Sequence, residues 1–101
     1  MNQYSQFTKF MTKDNQGDVL VNLLLQASEE MERHQPCQIY LINTAKKEEN
    51  IVYVYEVWSS KEAHEESLTL EVFQNLIKRA KPIIVNIEVV STFEFVAGKG
   101  V

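Results

Sequence analysis

The sequence predicts an α+β domain in which helices cover one face of a four-stranded antiparallel sheet. Three observations favour this class. Four segments are rich in β-branched and aromatic residues, two segments carry apolar residues at helical spacing, and their order is β-α-β-β-α-β. That order is typical of ferredoxin-like folds, whose two helical regions pack on the same side of the sheet.

The first strand and the first helix are predicted at residues 3–12 and 18–34. Apolar residues alternate weakly over 3–12, and residues 14–17 have turn chemistry, with Asn15 as the expected helix cap. Apolar residues then recur every three or four positions, at Leu20, Leu23, Leu24, Ala27 and Met31. Pro36 ends this helix because the residue before a proline is disfavoured in the α region.

The second half of the chain predicts a hairpin, a broken helix and a last strand. Residues 37–46 and 50–58 form the hairpin, joined by a polar segment. Ser59 has capping-box spacing with Glu62, so it starts a helical region that breaks near 67–69 and stops at Pro82. Residues 83–96 form the last strand and 97–101 a loose tail. We therefore expect a single domain over 1–101 with an ordered core at 3–96.

Composition limits the classes of partner. The 101 residues are 45% hydrophobic and 24% charged, which is ordinary for one globular domain with its own core. A net charge of −4 without a basic stripe argues against nucleic-acid binding. No apolar run approaches the roughly 20 residues of a membrane span, and no signal-peptide pattern is present. With Cys37 as the single cysteine, we expect no disulfide, no membrane partner and a cytoplasmic location.

The predicted strands are apolar on both faces. In residues 50–58, Tyr53 and Tyr55 alternate with Val52, Val54 and Trp58, while in the last strand simple alternation places Ile84 opposite to Ile87 and Val89. Two helical regions cover only one face, so a monomer would leave a large apolar surface exposed. We therefore expect a homodimer that packs sheet against sheet about a two-fold axis.

Few residues offer chemistry. The three glycines form no phosphate-binding loop, and no cysteine, histidine or carboxylate cluster has metal-ligand spacing, so we expect no metal site. Trp58 ends a strand beside a helix start, where its ring either walls a cavity or fills the core. His64 lies where it can exchange a proton near neutral pH, or where it is simply solvated between glutamates. Tyr40, Tyr53 and Tyr55 are also common in half-buried strands for packing reasons.

The stretch from Tyr53 to Phe73 resembles the core signature of the antibiotic biosynthesis monooxygenase (ABM) family, in the dimeric α/β-barrel superfamily. The resemblance is carried by the spine Glu56-x-Trp58-x-x-x-x-Ala63-x-x-x-x-Leu68-x-x-x-x-Phe73 and by the length and element order of nearly the whole chain. It implies a ferredoxin-like protomer in a dimeric α+β barrel. In many quinol-type members a histidine precedes the leucine matched by Leu68; here Ser67 stands there, and His64 lies one helical turn earlier.

The resemblance implies a monooxygenase that oxidises a small aromatic of the quinol type with O2 and no bound cofactor. His64 and Trp58 would be catalytic, and the substrate-binding residues would be Tyr40, Tyr53, Tyr55, Ser67 and Phe73. The alternative is a non-catalytic ligand-binding or regulatory dimer on the same scaffold, and a polar, water-filled cavity would instead favour a purely structural module. Haem-degrading relatives carry tryptophan, histidine and asparagine where this chain has Ser67, Ile77 and Phe7, so a haem iron would lack its protein ligand.

Overall fold

The computed structural model describes residues 3–94 and 96–99. Its elements in chain order are β1 (Tyr4–Thr12), α1 (Gly17–Met31), β2 (Cys37–Thr44), β3 (Ile51–Trp58), α2 (Lys61–Ser67), α3 (Glu71–Ala80) and β4 (Ile84–Phe93). The strands form one antiparallel sheet in the order β2-β3-β1-β4. The predicted α+β, ferredoxin-like fold is therefore confirmed, including the break in the second helical region. Parts of the predicted last strand and tail fall on residues 95, 100 and 101, which lie outside the described residues.

The N-cap positions of α1 and α2 each lie one residue later than the sequence indicated. Asn15 does not cap α1: it adopts a left-handed backbone with φ 64°, and Gln16 occupies the cap position without a side-chain hydrogen bond. An asparagine tolerates this conformation, so it serves the turn instead. Ser60, not Ser59, caps α2, because its Oγ accepts the Ala63 amide hydrogen bond at 3.0 Å.

The hydrophobic core lies between the sheet and the helices. One cluster joins α1 to the middle of β3 through Leu20, Leu24, Val52, Val54 and Ala80, and a second cluster contains Ala27, Met31, Trp58 and Phe73. Trp58 is completely buried. Alternate residues of β3 thus face the helices, and we call this side of the sheet the inner face.

The other side of the sheet, the outer face, carries the apolar side chains that the sequence placed there. Strand register puts these residues on it: Phe7, Met11, Ile39, Leu41, Ile51, Tyr53, Tyr55 and Phe93. Phe7 and Tyr53 stack there with ring centroids 5.4 Å apart. Among residues 3–94 and 96–99, no helix covers this face.

The alternation predicted for the last strand is wrong. Ile84, Ile87 and Val89 all line the same cavity on the inner face. Ile84 and Ile87 are three positions apart, which simple alternation would place on opposite faces. The register shift against β1 between Met11 and Thr12 lies between Ile84 and Ile87 and accounts for this; a second shift, between Phe7 and Thr8, follows after Val89. Each irregularity inserts a residue into one strand, which reverses the facing of all that follows.

Within the described part of the chain, no helix has both the length and the apolar character that crossing a bilayer requires.

Candidate active site

A cavity of about 530 Å³ lies between the inner face of the sheet and the helices. Its volume is within the range of small-molecule sites. Most of its walls are apolar, and these residues form them: Phe10, Leu20, Leu24, Leu68, Phe73, Leu76, Ile77, Ala80, Ile84, Ile87 and Val89. Ile77, Ile87 and Val89 are about half exposed, so the cavity opens on the β4 side. A largely apolar ligand would find here both contact surface and an entrance.

The polar groups of the cavity are concentrated on one row across the sheet. Glu56 of β3 pairs with Gln6 of β1 on one side and with Tyr40 of β2 on the other. All three residues line the cavity. The next row towards the other end of the sheet contains Val54, which pairs with Thr8 and Ile42. The cavity is therefore amphipathic. Its polar end is the row of Gln6, Glu56 and Tyr40, and its apolar end lies beyond the row of Val54.

Glu56 is the central residue of the polar row. Its side chain is only 11% exposed, and its Oε1 accepts a 2.9 Å hydrogen bond from the indole Nε1 of Trp58. Burial raises the pKa of Glu56 to about 7, and the Trp58 hydrogen bond opposes that rise. In the described residues Oε2 makes no hydrogen bond. The carboxyl thus changes its protonation state near neutral pH while one of its oxygens is free to meet a ligand.

His64 reaches the same carboxyl from α2. Its Nε2 lies 3.7 Å from Glu56 Oε1, too far for a hydrogen bond. Burial lowers the pKa of His64, with Glu65 opposing the shift. Because burial favours the neutral form of both His64 and Glu56, the contact is not an ion pair at neutral pH. The His64 ring also contacts Tyr4 at 5.3 Å and Trp58 at 5.7 Å between centroids, which fixes its position at the cavity wall.

A chain of hydrogen bonds runs along β1 beside Glu56. The Tyr4 hydroxyl donates to Gln6 Oε1 at 2.8 Å, and Gln6 Nε2 donates to Thr8 Oγ1 at 3.0 Å. Both Gln6 and Thr8 line the cavity. The Thr8 hydroxyl accepts in this chain, and among the described residues it donates to no other group. It can therefore donate a hydrogen bond to a ligand oxygen. Donors that are already polarised by such a chain bind acceptors more strongly.

The structure brings together some of the predicted site residues and not others. His64, Tyr40, Ser67 and Phe73 line the cavity. Ser67 already donates its hydroxyl to the backbone carbonyl of His64 within its own helix. Burial raises the pKa of Tyr40, which therefore stays neutral. Trp58 lies behind the wall and touches the site through Glu56.

Tyr53 and Tyr55 do not reach this cavity. Tyr55 pairs with Phe7 on the outer face, and the Tyr53 hydroxyl lies 3.3 Å from Glu48 Oε1. Their odd positions in β3 set them opposite to Glu56. Of the predicted substrate-binding residues, Tyr40, Ser67 and Phe73 therefore line the cavity, and Tyr53 and Tyr55 do not.

Sequence reasoning missed Glu56, Gln6 and Thr8. Glu56 carried a usable signal, because a residue two positions from Trp58 in a strand shares its face. No comparable signal marked Gln6 and Thr8, since their approach to Glu56 depends on the strand order and register. In residues 3–94 and 96–99, no three histidine, cysteine or carboxylate side chains are grouped as metal ligands.

Solved structures with the same fold are known. One is a protein from Chloroflexus aurantiacus that carries the provisional name antibiotic biosynthesis monooxygenase; it is 26% identical, the match covers 97% of each chain, and the TM-score is 0.86. Proteins with the same provisional name from Bacteroides thetaiotaomicron (13% identical, 99% and 96% covered, TM-score 0.87) and Deinococcus radiodurans (14% identical, 97% of each chain covered, TM-score 0.82) share the fold. No family model matches the sequence, and no curated protein matches it.

Proposed function

Since the fold and these neighbours support membership of the ABM domain family, we propose that this protein oxidises a small electron-rich aromatic of the quinol type with O2. The observation that carries the proposal is the amphipathic cavity, in which a buried carboxyl and a neutral imidazole face an otherwise apolar space. Its apolar end suits an aromatic ring system. Its polar end offers a proton acceptor, and Thr8, in the next row, offers a hydrogen-bond donor.

The reaction needs no bound cofactor when the substrate itself supplies the electrons. A phenol that has lost its proton is an electron-rich anion, and it can pass electrons to O2. One oxygen atom then forms a bond to a ring carbon and becomes a carbonyl, and the other leaves as water. A phenol or naphthol thus becomes a quinone, and a quinol becomes a hydroxyquinone, with one O2 consumed and one H2O released in each case. The protein contributes a dry cavity, a fixed ring orientation and a group that takes the phenolic proton.

Oxygen uptake with a panel of reduced quinones and naphthols tests this function. Wild type should consume O2 faster than the no-protein background with at least one compound, with quinone formed in equal amount. His64→Ala should slow the rate about tenfold, because the cavity wall loses a ring that helps to hold the bound aromatic in position. Glu66→Gln, an exposed carboxylate on the same helix, is the matched control and should behave as wild type. Background rates for wild type across the panel would refute the proposal.

A second function, ligand binding without turnover, is favoured by Ser67. Its hydroxyl is engaged within α2, so it gives the cavity no further proton acceptor where many quinol-type members have a histidine. A regulatory or storage dimer would need only the cavity. In that case aromatic ligands would raise the melting temperature while oxygen uptake and product analysis show no reaction, whereas the monooxygenase gives both.

We further propose that the outer face forms a homodimer. The chain exposes 7043 Å², while a compact monomer of 11.7 kDa exposes about 5,900 Å². The exposed apolar residues of the outer face contribute to this excess, and each partner in a standard interface buries roughly 800 Å². Leu41 and Phe93 are both about half exposed on this face. Their burial against a second copy would remove apolar surface that a monomer leaves in water.

Sedimentation equilibrium of charged variants tests the dimer. Leu41→Lys introduces a charge into the proposed interface and should yield monomers at concentrations where wild type is dimeric. Val19→Lys is the matched control, because Val19 is similarly exposed but lies on α1. A monomeric wild type, or equal association of both variants, would contradict this interface.

A further inference from the structure

We propose that Glu56, rather than His64, is the group that takes the proton of a hydroxyl ligand in the cavity, with Trp58 as the positioning residue that leaves Oε2 free for this exchange. The proposal deepens the proposed function and rests on it for the identity of the reaction. The proton exchange itself requires only that a hydroxyl compound binds in the cavity.

The indole of Trp58 decides which carboxyl oxygen carries the proton. An indole N–H donates and cannot accept, so Oε1, at 2.9 Å, must be the acceptor in every protonation state. A carbonyl oxygen is a better acceptor than a carboxyl hydroxyl, so in the protonated carboxyl this hydrogen bond favours Oε1 as the carbonyl and Oε2 as the oxygen that carries the proton. That oxygen makes no hydrogen bond within the described residues, and its residue lines the cavity. The ligand O–H bond breaks, its electron pair stays on the ligand oxygen, and the new O–H bond forms at Oε2.

The surroundings leave Glu56 as the group that titrates near neutral pH. Charged and titratable groups reach it or its cavity from β1, β2, α2 and α3: Tyr4, Cys37, Tyr40, His64, Glu65 and Lys81. From α1 and β4 the cavity receives only apolar side chains.

Two of these neighbours are ruled out as proton acceptors near neutral pH. Burial raises the pKa of Tyr40, and it raises that of Cys37 to about 11, so both stay protonated. Burial lowers the pKa of His64, so its titration lies below its ordinary value of 6.5. Lys81 directly follows the last residue of α3, and its side chain is exposed to solvent.

The His64 and Glu56 alternatives predict different pH profiles. If Glu56 is the acceptor, kcat/KM rises about tenfold per pH unit up to a midpoint near 7 and is flat above it. If His64 is the acceptor, the rising part of the profile has its midpoint below the ordinary imidazole value of 6.5. Under our proposal Glu56→Gln removes the rising limb and lowers kcat/KM by a factor of about 100 or more. His64→Asn lowers kcat/KM but keeps its rise with pH up to about 7. A limb that persists in Glu56→Gln and vanishes in His64→Asn would overturn the assignment.

Two measurements decide the proposal without turnover. Infrared difference spectra of protein with labelled glutamate carboxyls should show an acid band in wild type that disappears with a midpoint near pH 7 and is absent from Glu56→Gln. Phenol, used as a simple hydroxyl probe, should bind wild type roughly tenfold more tightly at about pH 8 than at about pH 6, as the fraction of carboxylate rises. Glu56→Gln should bind it equally at both values.

The outcomes separate this proposal from the proposed function. If no compound is oxidised but the acid band titrates near 7 and phenol binding follows it, Glu56 is the proton acceptor of a binding site and only the monooxygenase assignment fails. If the acid band is already lost at about pH 6, or if phenol affinity does not change with pH, the Glu56 proposal fails whatever the activity. The infrared experiment on wild type stands even if Glu56→Gln does not fold.

Discussion

Replacing Glu56 by glutamine should change the pH dependence of stability in a way that can be calculated from the structure. Burial raises the pKa of Glu56 in the folded protein from its ordinary value of 4.5 to about 7. Below 4.5 the carboxyl is protonated in both the folded and the unfolded chain, so it causes no pH-dependent difference. Between 4.5 and 7 the unfolded chain ionises and the folded chain does not, so folding takes up a proton and stability falls as the pH rises. Above pH 7 the folded carboxyl ionises as well, and stability falls no further on its account.

The size of this effect is about 3 kcal/mol, from a pKa that moves from 4.5 to about 7. Glutamine has no such titration, yet its amide oxygen can still accept the Trp58 hydrogen bond. Relative to Glu56→Gln, wild type should therefore lose about 2–3 kcal/mol between about pH 5 and about pH 8. Both proteins contain His64, so its own titration largely cancels in the comparison.

Urea unfolding of wild type and Glu56→Gln at equal protein concentration, over a pH series, measures this difference. Equal concentration matters because association would itself add to the apparent stability. Glu66→Gln controls for the loss of one negative charge, since Glu66 is exposed on α2. A free-energy difference between wild type and Glu56→Gln that stays constant from about pH 5 to about pH 8 would show that Glu56 is already ionised in the folded state, and the reasoning would be refuted.

Three further predictions concern single contacts. Trp58→Phe removes the donor that stabilises the carboxylate, so the infrared midpoint of Glu56 should rise by about one pH unit; an unchanged midpoint would contradict the hydrogen bond. Ser60→Ala should lower the free energy of unfolding by about 1 kcal/mol while Ser59→Ala changes it by less than about 0.5 kcal/mol, because only Ser60 caps α2; equal urea midpoints for the two variants would contradict the Ser60 cap. Gly17→Ala should cost about 1–3 kcal/mol because its Cβ would overlap the Glu49 carbonyl oxygen, whereas Gly98→Ala, with open space around it, should be neutral in the same measurement.

The fold was largely predictable because its signals are local. Helical spacing located α1, and the polar break near Ser67 separated α2 from α3, as the structure has them. The α2 cap was misplaced because Ser59 has the capping-box spacing to Glu62, whereas the observed cap, Ser60, has Ala63 three residues later and bonds only its backbone amide. The facing of β4 could not be predicted, since the two register shifts arise from its pairing with β1 and leave no mark in the alternation of apolar residues.

The site was predictable only in part. The family resemblance and the strand-to-helix transition drew attention to Trp58 and His64, and both lie at or behind the cavity wall. The face of Tyr53 followed from its parity in the strand, yet its chemistry suggested a role in the site. The polar row of Gln6, Glu56 and Tyr40 joins three strands, so it appears only when the strand order and the register are known.

Glu56 is a poor choice for stability at neutral pH, and that is the strongest reason to look for its function. A glutamine at this place could keep the hydrogen bond to Trp58 and would not lose about 3 kcal/mol on ionisation of the unfolded chain. An apolar residue would match Val52 and Val54 on the same face of β3. Only a process that needs the proton to come and go gains from a carboxyl here, since neither replacement can exchange one. A residue that breaks a local packing rule with only partial compensation is expected at functional sites, and the free Oε2 at the polar end of the cavity is where that exchange can take place.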